Sequence, residues 1–391
     1  MHLKIPNIYD SGKSLANITG AEKTVSMVSI MREDILKTLI AISSKAEKKG
    51  NVPRKVSASS VYNIINAIYK LKSAEFWHIV KESGEYTLDA FKILLALMEE
   101  NFVKRIGREF TLSTKGKQAA ESIGLVAKSA KCNMCTGKTI IIDILSEIRD
   151  EFEKICSKRP RLKVEYDQAP ILPSDALSRV AFMIERGDVS GKDIIVLGDD
   201  DLVSVALALT ELPNRIVVLD IDEELIKFIR EHLSTASIKA EALTHDLRYP
   251  LPDDLRDSFD VFFTDPPDTT LGLILFLSRG AEALIKEEKV RACGYFCMTH
   301  ADAPIDRWYK IEKTLLEMGF VITDIIRDFN TYYDLSVETE DYIKEGILEK
   351  IPPPTKPWYV SSLIRIEGHG KISPAIKGTF FDEKVYDYLH W

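Results

Sequence analysis

The sequence contains little cysteine and no long apolar run. Five cysteines in 391 residues are too few for a disulfide scaffold, so a reducing compartment is expected. No apolar stretch approaches the roughly 20 residues that a membrane-spanning helix requires. The first residues, Met1 to Pro6, lack the apolar core of a signal peptide. We therefore expect a cytoplasmic protein that does not enter a membrane.

Acidic and basic residues are distributed unevenly along the chain. Residues 1–131 contain 21 Lys and Arg against 13 Asp and Glu, a net charge of +8. The rest of the chain contains 31 basic and 47 acidic residues, a net charge of −16. A basic region can contact nucleic acid, whereas an acidic region repels it and attracts cationic substrates. The two parts are therefore expected to have different roles.

Hydrophobic spacing predicts helices and one hairpin in the first third of the chain. Apolar residues recur at helical spacing in four segments, which begin near residues 32, 57, 87 and 117. Two short strands are expected on either side of Gly107. This combination is typical of a winged-helix-like α+β domain, which we place at residues 26–124 after an N-terminal arm at residues 1–25.

Short apolar strands alternate with helices in the remainder of the chain. Seven strands are predicted, at residues 193–197, 215–219, 238–243, 259–263, 290–298, 321–329 and 358–366. Continuous apolar strands separated by helices are typical of a parallel sheet covered on both faces. The pattern predicts a Rossmann-like, methyltransferase-type α/β domain at residues 161–370. Residues 125–160 are expected to form a linker with a connecting helix, and residues 371–391 a C-terminal tail.

Four of the predicted strands are followed by polar clusters. They are Gly198-Asp199-Asp200-Asp201, Asp220-Ile221-Asp222, His245-Asp246 and Asp265-Pro266-Pro267-Asp268. Ligands of such sheets bind at the carboxyl ends of the strands. One Asp at a strand end can be explained as a helix cap, but three successive carboxylates repel one another. The first cluster is therefore interpreted as functional.

The second and third clusters are expected to hold a nucleoside. Asp220 or Asp222, around Ile221, lies where folds of this kind bind ribose hydroxyls, and the alternative is that these residues cap the next helix. Asp246, followed by Leu247, occupies the usual position of a contact with the adenine amine.

The fourth cluster places a rigid carboxylate beside an amine. Proline fixes φ and has no N–H group, so Pro266 and Pro267 hold the chain next to Asp265 and leave its carbonyls free to accept. A similar tetrapeptide occurs in many amino-group methyltransferases, so this motif alone does not identify the reaction.

The first cluster indicates the donor. Loops at this position are normally rich in glycine, which lets backbone amides approach an anionic group. Here Gly198 is followed by three carboxylates, which would repel the methionine carboxylate of S-adenosylmethionine. They would attract decarboxylated S-adenosylmethionine, whose aminopropyl tail ends in an ammonium, and an acidic pocket also suits a polycationic acceptor.

With these motifs the chain resembles the branched-chain polyamine synthases, the N4-bis(aminopropyl)spermidine synthases of thermophilic archaea and bacteria. The resemblance rests on the winged-helix-like region, Cys132-Asn-Met-Cys135, Arg186-Gly-Asp188, Gly198-Asp-Asp-Asp-Leu202, Leu219-Asp-Ile-Asp222 and Asp265-Pro-Pro267. It implies transfer of aminopropyl groups from decarboxylated S-adenosylmethionine to the secondary, then the tertiary, amine of spermidine, with release of 5′-methylthioadenosine.

A second resemblance concerns the acceptor. Asp167 and Gln168, with Asp175, look like the substrate-binding segment of linear spermidine synthases, whose Gly-Gly-Gly-Asp-Gly loop is absent here. For the chemistry, one of Asp199, Asp200 and Asp201 is expected to be the general base. Asp265 is expected beside the same amine, and Pro266, Pro267 and Asp268 against the substrate.

Tyr332 and Tyr333 begin an acidic segment that extends to Asp341. One interpretation is a solvated loop. The other is a lid over the polyamine, which would exclude water from the reacting amine.

Two other functions remain open at this point: an S-adenosylmethionine-dependent N-methyltransferase of nucleic acid, and a winged-helix regulator with a ligand-sensing Rossmann domain. Nucleic acid is not expected as a partner, because the region of the cleft is acidic. A homodimer is expected. Cys132 and Cys135 supply at most half of a zinc site, and the chemistry is expected to need no metal.

Overall fold

The structure is a computed structural model that describes residues 35–127, 132, 134–135, 137–286, 292–333, 340–382 and 385. The expected N-terminal arm lies outside the described residues. None of the helices described is long and apolar enough to cross a membrane.

The N-terminal part consists of helices around a small antiparallel sheet. The helices are α1 (35–46), α2 (Ala58–Leu71), α3 (Phe76–Ser83), α4 (Thr87–Glu99) and α5 (Thr114–Ser122). The strands are β1 (Ser73–Glu75), β2 (Val103–Ile106) and β3 (Glu109–Leu112), in the order β1-β3-β2. Ser57 caps α2 as predicted, because its side chain accepts a hydrogen bond from the Ser60 N–H, and β2 and β3 form the expected hairpin.

Helix α3 was not predicted. Its buried residues are Phe76, Trp77, Ile79, Val80 and Ser83. A run of adjacent apolar residues this short does not distinguish a helix from a strand. The helix begins directly after β1, which also escaped prediction because it has three residues.

The second part is an α/β sandwich with a seven-stranded sheet. Its strands are β4 (Asp193–Leu197), β5 (Arg215–Asp220), β6 (Lys239–Thr244), β7 (Val261–Thr264), β8 (Cys293–Thr299), β9 (Phe320–Thr331) and β10 (Val360–Gly368). The order is β6-β5-β4-β7-β8-β10-β9. Neighbouring strands from β6 to β8 are parallel, and β10 is antiparallel to both β8 and β9. The predicted fold class, including its late pair of strands, is confirmed.

Helices cover both faces of this sheet. They are α6 (Ser146–Cys156), α7 (Pro173–Glu185), α8 (Val203–Leu209), α9 (Glu223–Leu233), α10 (Thr270–Ala283) and α11 (Ile305–Glu317), with short helices α12 (Glu340–Lys344) and α13 (Ile347–Lys350) before β10. Alternate residues of β4 enter opposite cores: Ile194 and Val196 pack with α7, α8 and α9, and Ile195 and Leu197 with α10 and α11. This two-residue period explains why the buried strand is continuously apolar.

The N-terminal part shares a core with the segment between β9 and β10. The rings of Trp77 and Trp358 are 4.7 Å apart, and the Trp77 indole N–H donates to the Pro352 carbonyl at 2.8 Å. Lys92 and Glu345 face each other with both side chains fully buried. The α12–α13 segment is therefore fixed by contacts with the N-terminal part.

Candidate active site

The carboxyl ends of four parallel strands surround a cleft of about 480 Å³. Twelve residues line it: Tyr166, Asp167, Gln168, Gly198, Asp200, Asp220, Ile221, His245, Leu247, Asp265, Pro267 and Phe276. Nine of them are site residues predicted from the sequence, and Tyr166, His245 and Phe276 complete the lining. The predicted clusters therefore meet at one edge of the sheet.

The loop after β4 turns at Gly198. Its φ is +72°, and a Cβ added there would lie 3.4 Å from the Phe276 ring. A left-handed backbone beside a ring favours glycine. After this turn the three aspartates point to different partners, so the run of identical residues divides into three roles.

Asp199 is not among the residues that line the cleft. Its carboxylate accepts hydrogen bonds from the Ser204 N–H, at 3.2 Å, and from the Ser204 hydroxyl. The first N–H groups of a helix lack partners within the helix, and Asp199 supplies one at the start of α8. Burial raises the pKa of this carboxyl well above its ordinary value. The structure thus gives Asp199 a capping contact at the start of α8, outside the cleft lining.

Asp200 lines the cleft. Its Oδ2 atom accepts a hydrogen bond from the Ala169 N–H at 3.0 Å, whereas Oδ1 has no donor within the described part of the chain. Arg159 binds the Asp200 carbonyl, at 2.6 Å, and leaves the carboxylate unpaired. Burial and the charges of Asp201, Asp265 and Asp220 raise the pKa of Asp200 well above its ordinary value.

Asp201 and Asp265 share a buried arginine that sequence reasoning missed. The guanidinium of Arg179, on α7, donates to Asp201 Oδ2 and to Asp265 Oδ2, each at 2.5 Å, and to the Asn330 side chain at 2.7 Å. Asp201 also accepts from the Ile171 N–H at 2.8 Å. Burial raises the pKa of Asp201 to about 6, although Arg179 acts in the opposite direction.

A signal for Arg179 was present in the sequence. It lies on the same helical face as Ala176, Val180 and Met183, all of which are buried. A charged residue on an apolar face is rarely buried without a partner. The partners are 22 and 86 residues away in sequence, so their identity became visible only with the fold.

The two aspartates at the end of β5 differ in their contacts. Asp220 lines the cleft, and its carboxylate accepts from the backbone N–H groups of Asp199 and Asp222, at 3.0 and 2.8 Å. Asp222 lies outside the lining and caps α9, accepting from the N–H groups of Glu224 and Leu225. The capping alternative is therefore what the structure has for Asp222.

Asp222 is also held by side chains of the upstream segment. Lys163 lies 2.5 Å from Oδ1, and the Gln168 amide donates to Oδ2 at 3.0 Å. Burial raises the pKa of Asp222, but these hydrogen bonds outweigh burial and the pKa lies below its ordinary value. The cap thus ties the end of β5 to the segment that contains Asp167.

Asp246, the residue expected to contact the adenine amine, lies outside the cleft lining. Asp246 forms an ion pair with Arg248, whose Nε and Nη2 atoms lie 3.0 and 2.7 Å from Asp246 Oδ2. Its neighbours His245 and Leu247 line the cleft instead. The His245 Nε2 atom is buried with no hydrogen-bond partner among the described residues.

The segment upstream of α7 contributes one cleft-facing carboxylate and one structural one. Asp167 lines the cleft, and its Oδ2 accepts from the Asp268 N–H at 3.1 Å. Burial, and then the charge of Asp268, raise the pKa of Asp167 well above its ordinary value. Asp175 does not reach the cleft lining: it is buried against Lys138 and accepts from the Thr331 N–H at 2.7 Å.

After β7, Pro267 lines the cleft, whereas Pro266 and Asp268 do not. Asp268 accepts from the Tyr359 hydroxyl at 2.6 Å and lies 3.2 Å from Arg307. Burial raises the pKa of Asp268. Asp302, which was not predicted, lies near this group, and burial together with the charge of Asp268 raises its pKa to about 6.

The hydroxyl groups of both tyrosines expected in a lid form hydrogen bonds with other side chains. The Tyr332 hydroxyl donates to Asp265 Oδ2 at 3.2 Å and lies 3.0 Å from the Ser361 hydroxyl. Tyr333 is 42% exposed, and its hydroxyl accepts from Arg159 at 2.5 Å. Residues 334–339 lie outside the described part of the chain, so the lid remains a prediction.

The cysteine pair carries no recognisable site. Cys132 and Cys135 are free thiols. Within the described residues, no group of three or more His, Cys, Asp or Glu side chains is arranged to hold a metal ion. The role of the motif, and the expectation that the chemistry needs no metal, stay open.

Comparison with known proteins identifies the family. Residues 147–387 match the model of the branched-chain polyamine synthase A C-terminal domain. The N(4)-bis(aminopropyl)spermidine synthase of Methanocaldococcus jannaschii is 38% identical over 330 residues, which are 83% of this chain and 91% of that protein. The synthase of the same name from Thermococcus kodakarensis is also 38% identical, over 83% of this chain and 92% of its own length.

A solved structure agrees with these relatives. The branched-chain polyamine synthase of Thermus thermophilus, in complex with N4-aminopropylspermidine and 5′-methylthioadenosine, superposes with a TM-score of 0.76. It is 29% identical in sequence, and the match covers 90% of this chain and 98% of that one. Sequence family and fold thus agree, and the chain belongs to the branched-chain polyamine synthase family.

Proposed function

We propose that this protein transfers aminopropyl groups from decarboxylated S-adenosylmethionine to spermidine and releases 5′-methylthioadenosine. The first transfer is to the secondary amine, and the second, to the resulting tertiary amine, gives a branched product with a quaternary nitrogen. The observation that carries the proposal is the carboxylate-lined cleft at the strand ends of a member of this family. The structure of the Thermus thermophilus relative is a complex with N4-aminopropylspermidine and 5′-methylthioadenosine.

The donor is selected by charge. Asp200, Asp220 and Asp265 line the cleft, so a donor whose tail ends in an ammonium is attracted and one with a carboxylate is repelled. The nucleoside occupies the side of the cleft formed by Asp220, Ile221 and His245, with Leu247 and Phe276 supplying apolar contacts. Asp220 is placed for the ribose hydroxyls, as in other folds of this class.

Asp200 is the general base. A secondary amine attacks the carbon bonded to sulfur only when it is neutral, so its proton must pass to an acceptor within hydrogen-bond reach. Asp200 faces the cleft with one free carboxylate oxygen, and its surroundings increase its affinity for a proton. Asp199 binds Ser204 and Asp201 binds Arg179, so neither has the same freedom.

The two transfers differ in what happens to charge. In the first, Asp200 takes the proton of the attacking nitrogen as the N–C bond forms and the C–S bond breaks, so the nitrogen becomes a neutral tertiary amine. In the second, the neutral tertiary amine attacks and becomes a quaternary ammonium, which has no proton to lose. The anionic side chains that line the cleft balance this permanent charge.

The polyamine extends from Asp200 and Asp265 toward Asp167. Terminal ammonium groups of spermidine remain charged, and a fixed carboxylate orients the chain so that the central nitrogen meets the sulfonium. Asp167 lines the cleft, and its backbone contact with Asp268 fixes the carboxylate. Binding of a cation there would lower the pKa of Asp167 and keep it ionised.

The N-terminal part shapes the cleft and does not read nucleic acid in this proposal. The Thr87 hydroxyl donates to the Ala301 carbonyl at 2.7 Å, and the Tyr342 hydroxyl donates to Thr87 and to Asp302, at 3.1 and 2.5 Å. These bonds join α4 to the loop after β8. A homodimer and a cytoplasmic location are parts of the same proposal, and sedimentation velocity tests the first of them.

The decisive experiment is product analysis. Purified protein is incubated with spermidine and either decarboxylated S-adenosylmethionine or S-adenosylmethionine, and products are weighed by mass spectrometry. We expect one and then two aminopropyl additions with the decarboxylated donor and no addition with the other. Methylated products, or methylation of RNA or DNA offered as acceptor, would favour the methyltransferase alternative.

A further inference from the structure

The buried guanidinium of Arg179 contacts both sides of the amine site. Arg179 is fully buried and divides its donors among Asp201, Asp265 and Asn330. A buried charge is costly unless it is paired and hydrogen-bonded. This one is shared by two carboxylates from different strand ends, so it fixes their separation and orientation.

Arg179 and Tyr332 together hold the Asp265 carboxylate. Its Oδ2 atom receives Arg179 at 2.5 Å and the Tyr332 hydroxyl at 3.2 Å, while Oδ1 is 3.4 Å from that hydroxyl. Asp265 also lines the cleft. The ion pair with Arg179 fixes the Asp265 carboxylate at the edge of the cleft, whereas the Asp200 carboxylate forms no ion pair within the described residues.

We propose that Arg179 is a positioning residue that fixes the Asp265 carboxylate beside the acceptor nitrogen, and that its main effect is on the second aminopropyl transfer. The inference rests on the proposed function. In the first transfer, loss of a proton to Asp200 removes the positive charge on the new tertiary nitrogen. The quaternary nitrogen of the second transfer keeps its charge, so a standing anion stabilises the developing cation.

Other groups that face Arg179 do not replace this role. Electrostatic neighbours of the guanidinium are Asp201, Asp265, Cys297 and Tyr332, and Asp200 and Asp220 complete the charged surroundings of the cleft. Burial raises the pKa of the Cys297 thiol and of the Tyr332 hydroxyl well above their ordinary values, so both are neutral at pH 7. Arg179 is the cation that contacts Asp201 and Asp265 directly, and its charge lowers the pKa of Asp201 against the effect of burial.

The test compares Arg179→Met with Arg186→Met. Arg186 is the C-cap residue of the same helix, forms an ion pair with Asp324 and is partly exposed. Its replacement is therefore a matched control that removes an arginine outside the cleft. Initial rates of the first and second transfers are measured separately, with spermidine and with N4-aminopropylspermidine as acceptors. Thermal unfolding and binding of 5′-methylthioadenosine report the integrity of each variant.

We expect Arg179→Met to lower the ratio of the second to the first rate by about 10- to 100-fold, the effect of losing a hydrogen bond to a charged group. The ratio should recover as pH rises, because without the guanidinium Asp201 holds its proton to higher pH. Arg186→Met should keep the wild-type ratio. An equal loss in both transfers at every pH would overturn the proposal and leave Arg179 a purely structural residue.

A second variant removes one carboxylate together with the cation. Arg179→Met combined with Asp201→Asn loses one charge of each sign, and asparagine still accepts the hydrogen bond from the Ile171 N–H. This pair should fold where the single variant does not, and it should still show the reduced ratio. A wild-type ratio in the folded double variant would contradict the role of Arg179. Failure of the wild-type protein itself to form any branched product would instead contradict the proposed function.

Discussion

Two pairs of aspartates at the same edge of the sheet differ in what their oxygens accept. In the capping pair, Asp199 and Asp222, the carboxylates are occupied by the N–H groups at the starts of α8 and α9. In the cleft pair, Asp200 and Asp265, the side chains line the cavity; Asp200 Oδ1 has no donor within the described residues, and Asp265 is held by Arg179 and Tyr332. Identical residue types thus cap helices in one pair and, in the proposed function, take part in the chemistry in the other.

Asp199 and Asp200 differ in role because the backbone directs their side chains to different partners, although the two residues are neighbours in sequence. Asp199 and Asp200 are adjacent, yet they bind segments on opposite sides of the loop, Ser204 and Ala169. A helix start requires acceptors for its free N–H groups, and the residue that the Gly198 turn aims at α8 becomes the cap. The next residue, Asp200, lines the cleft.

The largest expected effect separates these neighbours. Asp200→Asn should lower kcat by about 10²–10⁴-fold, the usual contribution of a general base, while Asp199→Asn lowers it far less. Asparagine keeps the shape of Asp200 but takes up no proton, and solution supplies neutral amine at high pH. The rate of the Asp200 variant should therefore recover in part as pH rises, in steady-state assays with spermidine.

Binding of 5′-methylthioadenosine serves as the control for both variants, because Asp200 lies on the acceptor side of the cleft. Near-wild-type kcat at pH 7 for Asp200→Asn, or a greater loss for Asp199→Asn, would reverse the assignment of the two pairs.

The next effect concerns the pH dependence of stability. The pKa of Asp201, raised to about 6 by burial, exceeds its ordinary value of 3.8. The folded state therefore binds this proton more tightly than the unfolded state, and the stability that it contributes is lost as pH rises through about 6. The free energy of unfolding of Asp201→Asn should rise relative to that of the wild type between pH 4 and pH 6, by on the order of 1 kcal/mol for each unit of pKa shift.

Denaturant unfolding at several pH values measures this gain. The capping residue Asp222 gives the opposite sign, because its pKa is lowered. The wild type should exceed Asp222→Asn in stability above the ordinary pKa and lose that advantage as pH falls. An equal pH dependence of the free energy of unfolding for the two variants would contradict the opposite pKa shifts of Asp201 and Asp222.

A smaller effect tests the cap itself. Asp222→Ala should reduce the free energy of unfolding by about 0.5–2 kcal/mol, the range for loss of an N-cap side chain. Asp222→Asn should cost less, because asparagine caps nearly as well. Both variants should keep kcat, since Asp222 does not line the cleft. A large fall in kcat with unchanged stability would place Asp222 in the substrate site.

The sequence predicted the α/β class and most of the cleft because both follow from local patterns. Strands β4 and β5 are short apolar runs that end at polar residues, and carboxyl ends of parallel strands meet at one edge. The roles of Asp199, Asp175 and Arg179 did not follow, because each depends on a partner brought by tertiary structure. Arg179 meets Asp265 across 86 residues of sequence, and no local pattern specifies that contact.

The expected adenine contact at Asp246 stays a prediction, and Asp246 itself lies outside the cleft lining. Asp246 precedes Arg248 by two residues, a spacing that allows a local ion pair. His245 and Leu247 alternate with Asp246, so the side chains on either side of it face the cleft while Asp246 faces away.

The smallest expected effect tests this alternation. Asp246→Asn should change the dissociation constant of 5′-methylthioadenosine little and the stability by at most about 1 kcal/mol, as for a partly exposed ion pair. His245→Phe should weaken nucleoside binding by about tenfold, the value of one hydrogen bond, because the buried Nε2 atom of His245 has no partner among the described residues. Calorimetry with 5′-methylthioadenosine compares the two variants directly. If Asp246→Asn weakens binding more than His245→Phe, the adenine amine is bound where the sequence pattern first placed it, and the carboxylate must exchange Arg248 for the ligand.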